Sequence, residues 1–201
     1  MESDQRAPLE ASIRSACERE EWAAAATTAL RAYGPELMGY LAATLPTEHD
    51  AADAFSMFSE DLWRGLPGFR WEASLRTWAY RLARNAGSRL YRKGKRREIV
   101  ALPASSEFSA LAVEMRTSVM LQLRARAVDR VQQLREQLDP DERTLLVLRV
   151  DRELSWSEIA RIMSEGDEDL DAEALARSSA ALRKRFERIK ARLHELAADL
   201  R

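Results

Sequence analysis

The sequence holds one cysteine, Cys17, and two histidines, His49 and His194, in 201 residues. A lone thiol closes no internal disulfide, and a zinc site assembled from Cys and His is nearly excluded. Such usage suits a metal-free protein of the reducing cytosol, so no cofactor and a cytoplasmic location are expected. Glycine and proline are scarce, at 7 and 6, and β-branched runs are almost absent, which leaves a sandwich or barrel nothing to build from. No apolar run approaches the ~20 residues that cross a bilayer. Residues 1–8 are acidic and polar where a signal peptide would be basic and then apolar, so neither a membrane segment nor secretion is expected. An overall charge of one sign is missing too: 32 Lys plus Arg stand against 33 Asp plus Glu.

What remains is rich in Ala, Leu, Arg and Glu, strong helix formers, and 46% of the chain is hydrophobic. This predicts an all-α fold of two small helical domains, with enough apolar surface for a core. A first helix is expected over residues 9–33, stopped by Gly34-Pro35, and a second to about Leu45 before Pro46. A third starts near Asp50 and carries Phe55, Phe58, Leu62 and Trp63 before Gly65 and Pro67-Gly68. A fourth starts near Ser74. After the basic run 92–97, residues 98–109 lose all periodicity and read as a linker. A second set of helices begins near Ala110.

Two helix starts are chemically specific. Asp139-Pro140-Asp141-Glu142 offers a capping carboxylate, a proline where no amide hydrogen is needed, and acids at the positive helix end. Ser155-Trp156-Ser157-Glu158 has capping-box spacing, predicting a helix to about Ser164. The last helix shows Leu182, Phe186, Ile189, Leu193, Leu196 and Leu200 at alternating intervals of four and three, a seam that must bury against other helices. Its start is open between Ala172 and a Ser178 cap.

The charge is partitioned along the chain. Residues 70–97 hold ten Arg or Lys against Glu72 alone, residues 141–173 eleven acids against four bases, and residues 177–192 seven bases against Glu187. Each basic stretch suits phosphates. On a helical wheel Leu75, Trp78, Ala79, Leu82, Ala83, Ala86 and Leu90 share one side of the fourth helix. Thr77, Tyr80, Arg81, Arg84, Ser88, Tyr91 and Arg92 share the other, with Asn85 at the border. Arginines hold a backbone and tyrosines stack on unpaired bases, so this face has the chemistry of a single-strand platform. A solvated basic helix is the plainer alternative.

Leu62-Trp63-Arg64-Gly65-Leu66-Pro67-Gly68-Phe69-Arg70, followed by Ser74-Leu75-Arg76-Thr77-Trp78-Ala79-Tyr80-Arg81-Leu82-Ala83-Arg84-Asn85, resembles the promoter-melting segment of the extracytoplasmic-function (group IV) sigma factors of bacterial RNA polymerase. Leu138-Asp139-Pro140-Asp141-Glu142-Arg143, Leu154-Ser155-Trp156-Ser157-Glu158-Ile159-Ala160 and Leu182-Arg183-Lys184-Arg185-Phe186 are similar to that family's C-terminal helix-turn-helix. The resemblance implies a non-enzymatic sigma factor whose partners are core RNA polymerase and promoter DNA. Residues 1–97 would dock on polymerase and read the minus-ten element, residues 98–109 would link, and residues 110–201 would read the minus-thirty-five element. Minus-ten contacts would come from Phe69, Arg70, Thr77, Tyr80, Arg81, Arg84, Asn85, Ser88 and Arg92. A flipped base would sit near residues 69–74, and Asn85 stands where the family often contacts that base. Arg177, Ser178, Ser179, Arg183, Lys184 and Arg188 would meet the minus-thirty-five element. Asp50, Asp53, Phe58 and Trp63 would face the polymerase, although Ser56 and Met57 replace a usual Gln-Glu pair and Asp50 also suits a cap.

The turn of the C-terminal motif is overgrown, with acids from Asp167 to Glu173, which either shield the basic helix or form a solvated loop. A fused sensor is not expected, so regulation is expected from another protein, such as an anti-sigma protein, or from expression level. Two rivals remain. A stand-alone helix-turn-helix regulator would bind duplex DNA without polymerase. A di-metal enzyme built on Asp50, Asp53, Glu60 and Asp61 would favour a Glu-x-x-His pattern, which is absent.

Overall fold

The computed structural model describes residues 3–93, 107–124, 134, 137–164 and 170–199, with side chains over 6–90, 107–117, 134, 137–164 and 170–197. The described residues are all-α: α1 (Ser3–Glu18), α2 (Trp22–Thr44), α3 (Glu48–Gly65), α4 (Leu75–Lys93), α5 (Glu107–Arg124), α6 (Pro140–Leu146), α7 (Trp156–Met163) and α8 (Ala172–Asp199). A single 3₁₀ turn, Leu66–Gly68, follows α3, and a π turn, Val147–Asp151, continues α6.

Local chemistry sets most of the helix ends. Thr47 Oγ1 accepts the Asp50 amide at 3.0 Å and opens α3. Asp139 and Ser155 each form a reciprocal capping box, with Glu142 and Glu158, at the starts of α6 and α7. Asp171 Oδ1 accepts the Ala174 amide at 2.7 Å, so the last helix takes the earlier of its two expected starts.

The N-terminal helices divide differently from the expectation. No break occurs at Gly34-Pro35: α2 runs through both residues. The interruption falls at residues 19–21, where Glu20 adopts a positive φ of 60°. Proline at position 35 forgoes one helical hydrogen bond, but Leu30, Tyr33, Leu37 and Met38 around it are all fully buried, and burial on that scale outweighs the lost bond. Gly34 serves a packing purpose, since a Cβ there would lie 2.4 Å from Met115 Sδ of α5.

α5 packs across α2 and α3, and therefore joins the N-terminal helices in space although the sequence reading placed everything after Ser109 with the C-terminal ones. Phe108 is buried with its ring 5.1 Å from that of Trp63, and Arg31 reaches Glu107 at 2.9 Å. Residues 107–109 are helical rather than linker; the rest of the expected linker, 98–106, lies outside the described residues. α7 packs on α8, and α6 also contacts α8. Leu182, Phe186 and Ile189 form the buried part of the α8 seam, with Leu193 and Leu196 half-buried. The two groups of helices meet where α7 lies on α4, and where α6 and its π turn touch α2. One continuous apolar cluster runs through both.

Candidate nucleic-acid interface

The entry to α4 is built from α1, the loop 69–74 and the first turn of α4 itself. Phe69 stacks on Trp78, with centroids 4.6 Å apart and planes at 21°, and tilts against Trp71 at 4.9 Å. Trp71 has a positive φ of 60° and lies under the Arg14 guanidinium at 5.7 Å. A non-glycine residue in that conformation is strained, and the aromatic packing on both sides holds it. Ser74 Oγ accepts the Thr77 amide at 3.0 Å. The preceding amides, of Leu75 and Arg76, donate to the Glu10 carboxylate of α1, each at 3.1 Å.

Behind this entry, Arg76 is almost fully buried and makes a two-point ion pair with Glu36, at 2.9 and 3.0 Å. Burial works against its charge, yet the Glu36 hydrogen bonds and charge raise its pKa above the ordinary arginine value. Its guanidinium also lies over the Tyr80 ring at 5.3 Å. The result is a rigid helix start whose outer rim is Phe69, Arg70 and Arg81. Arg70 is exposed and pairs with Glu72 at 3.1 Å. A small recess is lined by Phe69, Ala73, Thr77, Trp78 and Arg81, and by Arg161 from α7.

The apolar side of α4 is inward as expected, with Leu75, Ala79, Ala83 and Ala86 buried. Its polar side departs from the wheel. Tyr80 is fully buried, edge-on to Tyr40 at 5.3 Å, and Thr77 is 3% exposed. The expectation of an open Tyr80 face is corrected here: α2 covers the ring from one side, and the C-terminal helices close over that flank of α4. Burial pushes the Tyr80 hydroxyl far above its usual pKa. Arg84 is largely covered and reaches Asp141 of α6 at 3.1 Å, whereas Asn85 and Ser88 stay partly exposed. Arg89, adjacent on the helix, pairs with Asp61 of α3. The Arg92 side chain lies outside the described ones.

The second basic surface is on α8. Arg183, Lys184 and Arg188 are exposed, and Arg183 stands over the Trp156 ring at 5.8 Å. Arg177 is exposed and paired with Glu173 one turn away. Ser178 is partly exposed, and Ser179 donates to the Trp156 carbonyl at 3.3 Å, tying α8 to the start of α7. Within the acidic stretch, 165–169 lie outside the described residues, while Asp171 and Glu173 are occupied as cap and ion-pair partner.

On α3, the Asp50 carboxylate accepts the hydroxyl of the capping residue Thr47 at 2.6 Å, and Asp53 lies 3.4 Å from His49. Phe58 is fully buried, and Trp63 is half-buried with the Phe108 ring tilted against it at 5.1 Å. Phe58 was expected at a docking surface; it packs on Phe55 instead, because its position on the helix faces the bundle interior. Among the described residues no group of three or more His, Cys, Asp or Glu is arranged to hold a metal ion, and no helix is long and apolar enough to cross a membrane. Glu10, Glu36 and Arg161 carried no signal in the sequence, and Asp141 read only as part of a helix start. Each acts on α4 from a helix remote in sequence, and a single chain carries no local signal of such pairing.

Residues 29–97, from within α2 to just past α4, match the family model of Sigma-70 region 2. The matched segment holds the loop 69–74 and α4, while Glu10 and Arg14 of α1 lie before it. No curated protein and no solved structure matches the chain.

Proposed function

We infer that this chain is a sigma factor of the extracytoplasmic-function type, which docks on core RNA polymerase, directs it to promoters and helps open them. The match of residues 29–97 to Sigma-70 region 2 carries the reading. The geometry of α4 supports it: Phe69, Arg70, Arg81, Asn85 and Ser88 line one accessible edge of a rigid helix. Aromatic and arginine side chains there suit an unpaired strand, at roughly 1–3 kcal/mol per stacked base. Asn85 would pair with a base edge while Arg81, Arg84 and Arg92 hold phosphates. Thr77 and Tyr80 contribute through the stiffness of the helix in the arrangement described, and reach a strand only when the C-terminal helices move.

α8 would lie in the major groove of the minus-thirty-five element, with Arg183, Lys184 and Arg188 on the duplex and Arg177, Ser178 and Ser179 at the motif's entry. α3 would present Asp50, Asp53 and the exposed part of Trp63 to polymerase. Opening a duplex in this way needs binding energy for bared bases, and the polymerase supplies the covalent chemistry. An anti-sigma protein is a further partner that such a chain would meet.

Transcription by core polymerase on a genomic fragment library, with and without the purified chain, tests the assignment. New start sites that share two spaced elements are the expected result. An unchanged set of start sites, together with tight duplex binding by the chain alone, would replace the sigma factor with a stand-alone regulator.

A further inference from the structure

α1 reaches the entry of α4 at two points. The helix packs on α2 and buries Ile13, Ala16 and Cys17. Glu10 and Arg14 are one turn apart on it and therefore neighbours on its surface. Glu10 accepts the Leu75 and Arg76 amides and the Tyr33 hydroxyl, each at 3.1 Å. Arg14 lies over the Trp71 ring at 5.7 Å and pairs with Glu18 at 3.3 Å. The loop 69–74 is thus tied to α1 near its middle, at Trp71, and just past its end, at the first turn of α4.

These ties matter for a strand lying along α4 in two ways. A helix start with open amides attracts a phosphate. Here the first-turn amides are taken: Glu10 holds Leu75 and Arg76, and Ser74 Oγ accepts Thr77 at 3.0 Å. A carboxylate already fills the anion position, so a strand keeps its phosphates on the arginines and brings a base to the loop. The second effect is on shape. Trp71 holds a left-handed backbone, φ 60°, which a residue with a large side chain keeps only under constraint. Arg14 and Phe69 supply the constraint, the Phe69 ring lying 4.9 Å from that of Trp71. Phe69 in turn stacks on Trp78 at 4.6 Å, and both rings line the recess beside Ala73 and Thr77. A change on α1 therefore passes through Trp71 to the walls of that recess.

We propose that α1 is a positioning element of the strand-reading site: Glu10 and Arg14 fix the shape of the loop 69–74 and, through it, which base the recess accepts. The inference rests on the loop and α4 meeting an unpaired strand, and it adds to that reading two residues that precede the matched segment. Neither residue touches the base. Both act through Trp71 and the first turn of α4.

Polymerase complexes of the full-length chain, Glu10→Ala, Arg14→Ala, Trp71→Gly and Arg84→Ala would be titrated with fluorescein-labelled fork DNA. The fork is duplex through the minus-thirty-five element and single-stranded over the minus-ten element of a promoter from the fragment library, with each bared base changed in turn. The readout is the ratio of affinities between templates, because a loss of folded protein lowers all of them alike and leaves the ratio in place. Trp71→Gly cuts the link to Arg14 while glycine takes the left-handed backbone without strain. The proposal expects discrimination at one strand position to fall about fivefold in Glu10→Ala, Arg14→Ala and Trp71→Gly, with the other positions unchanged. Arg84→Ala removes a phosphate contact, so it should weaken every template equally. Level ratios in the first three variants, whether or not overall affinity falls, overturn the positioning role; a uniform loss in Arg84→Ala then leaves α4 as the strand-binding helix. An Arg84→Ala complex that binds every template as tightly as the unaltered one, with level ratios throughout, overturns both.

Discussion

Glu10 accepts the backbone amide of Arg76 at 3.1 Å, a contact that spans 66 positions and closes the N-terminus of α4 with a carboxylate from α1. The same carboxylate takes the Leu75 amide and accepts a hydrogen bond from the Tyr33 hydroxyl at 3.1 Å. Three donors converge on one side chain, in a part of the chain that precedes the family match. Glu10→Ala should therefore cost about 1–2 kcal/mol of stability, the usual price of a lost helix cap with donors left over. Urea unfolding checks this: the midpoint falls while the slope stays constant.

Arg84→Ala and Asn85→Ala should each reduce promoter opening more than duplex binding by the polymerase complex. A base-edge or phosphate contact to a bared strand is worth roughly 1–3 kcal/mol, so opening should fall about tenfold. Permanganate reactivity of unpaired thymines measures opening, and a filter or gel assay measures binding. Equal losses in both would move these residues off the strand.

Arg183→Ala and Lys184→Ala concern the other basic surface. Both side chains are exposed on α8. Each should weaken promoter binding by the polymerase complex and reduce the dependence of log affinity on log salt by about one phosphate contact. Lys190→Ala, an exposed residue paired with Glu187, is the control and should leave the salt slope unchanged.

Alkaline pH should unfold the protein through its buried phenols. Burial, opposed by hydrogen bonds from Thr144 and Thr44 and by the charge of Arg84, pushes Tyr40 up to about 12, and burial raises Tyr33 and Tyr80 as well. An unfolded tyrosine ionises near about 10. A phenol whose folded pKa is raised contributes stability that is whole below about pH 10 and is lost progressively as pH rises toward 12. Tyrosinate absorbance from these three residues should appear together with the loss of helical circular dichroism. Ionisation at ordinary pKa values in a still-folded chain would show that the phenols are open to water.

Helix starts were the most legible part of the sequence. Asp139 and Ser155 cap the helices they were expected to cap, because a capping box needs only residues three apart. The Gly34-Pro35 break was misread for the opposite reason. A proline's cost is local and visible, while the burial of Tyr33 and Leu37 that outweighs it depends on neighbours from other helices. The placement of α5 beside Trp63 was equally hidden, since nothing near Phe108 in sequence names its partner.

The amino-acid order by itself determined an all-helical chain, its capped starts, its apolar stripes and the segregation of its charge, all of which follow from residues within a turn or two of one another. Tertiary structure alone decided which face of α4 meets solvent. A helical wheel sorts side chains by polarity, but tyrosine and arginine carry apolar bodies behind polar tips, so Tyr80 and Arg84 lay either in water or beneath another helix until α2, α6 and α7 packed around them.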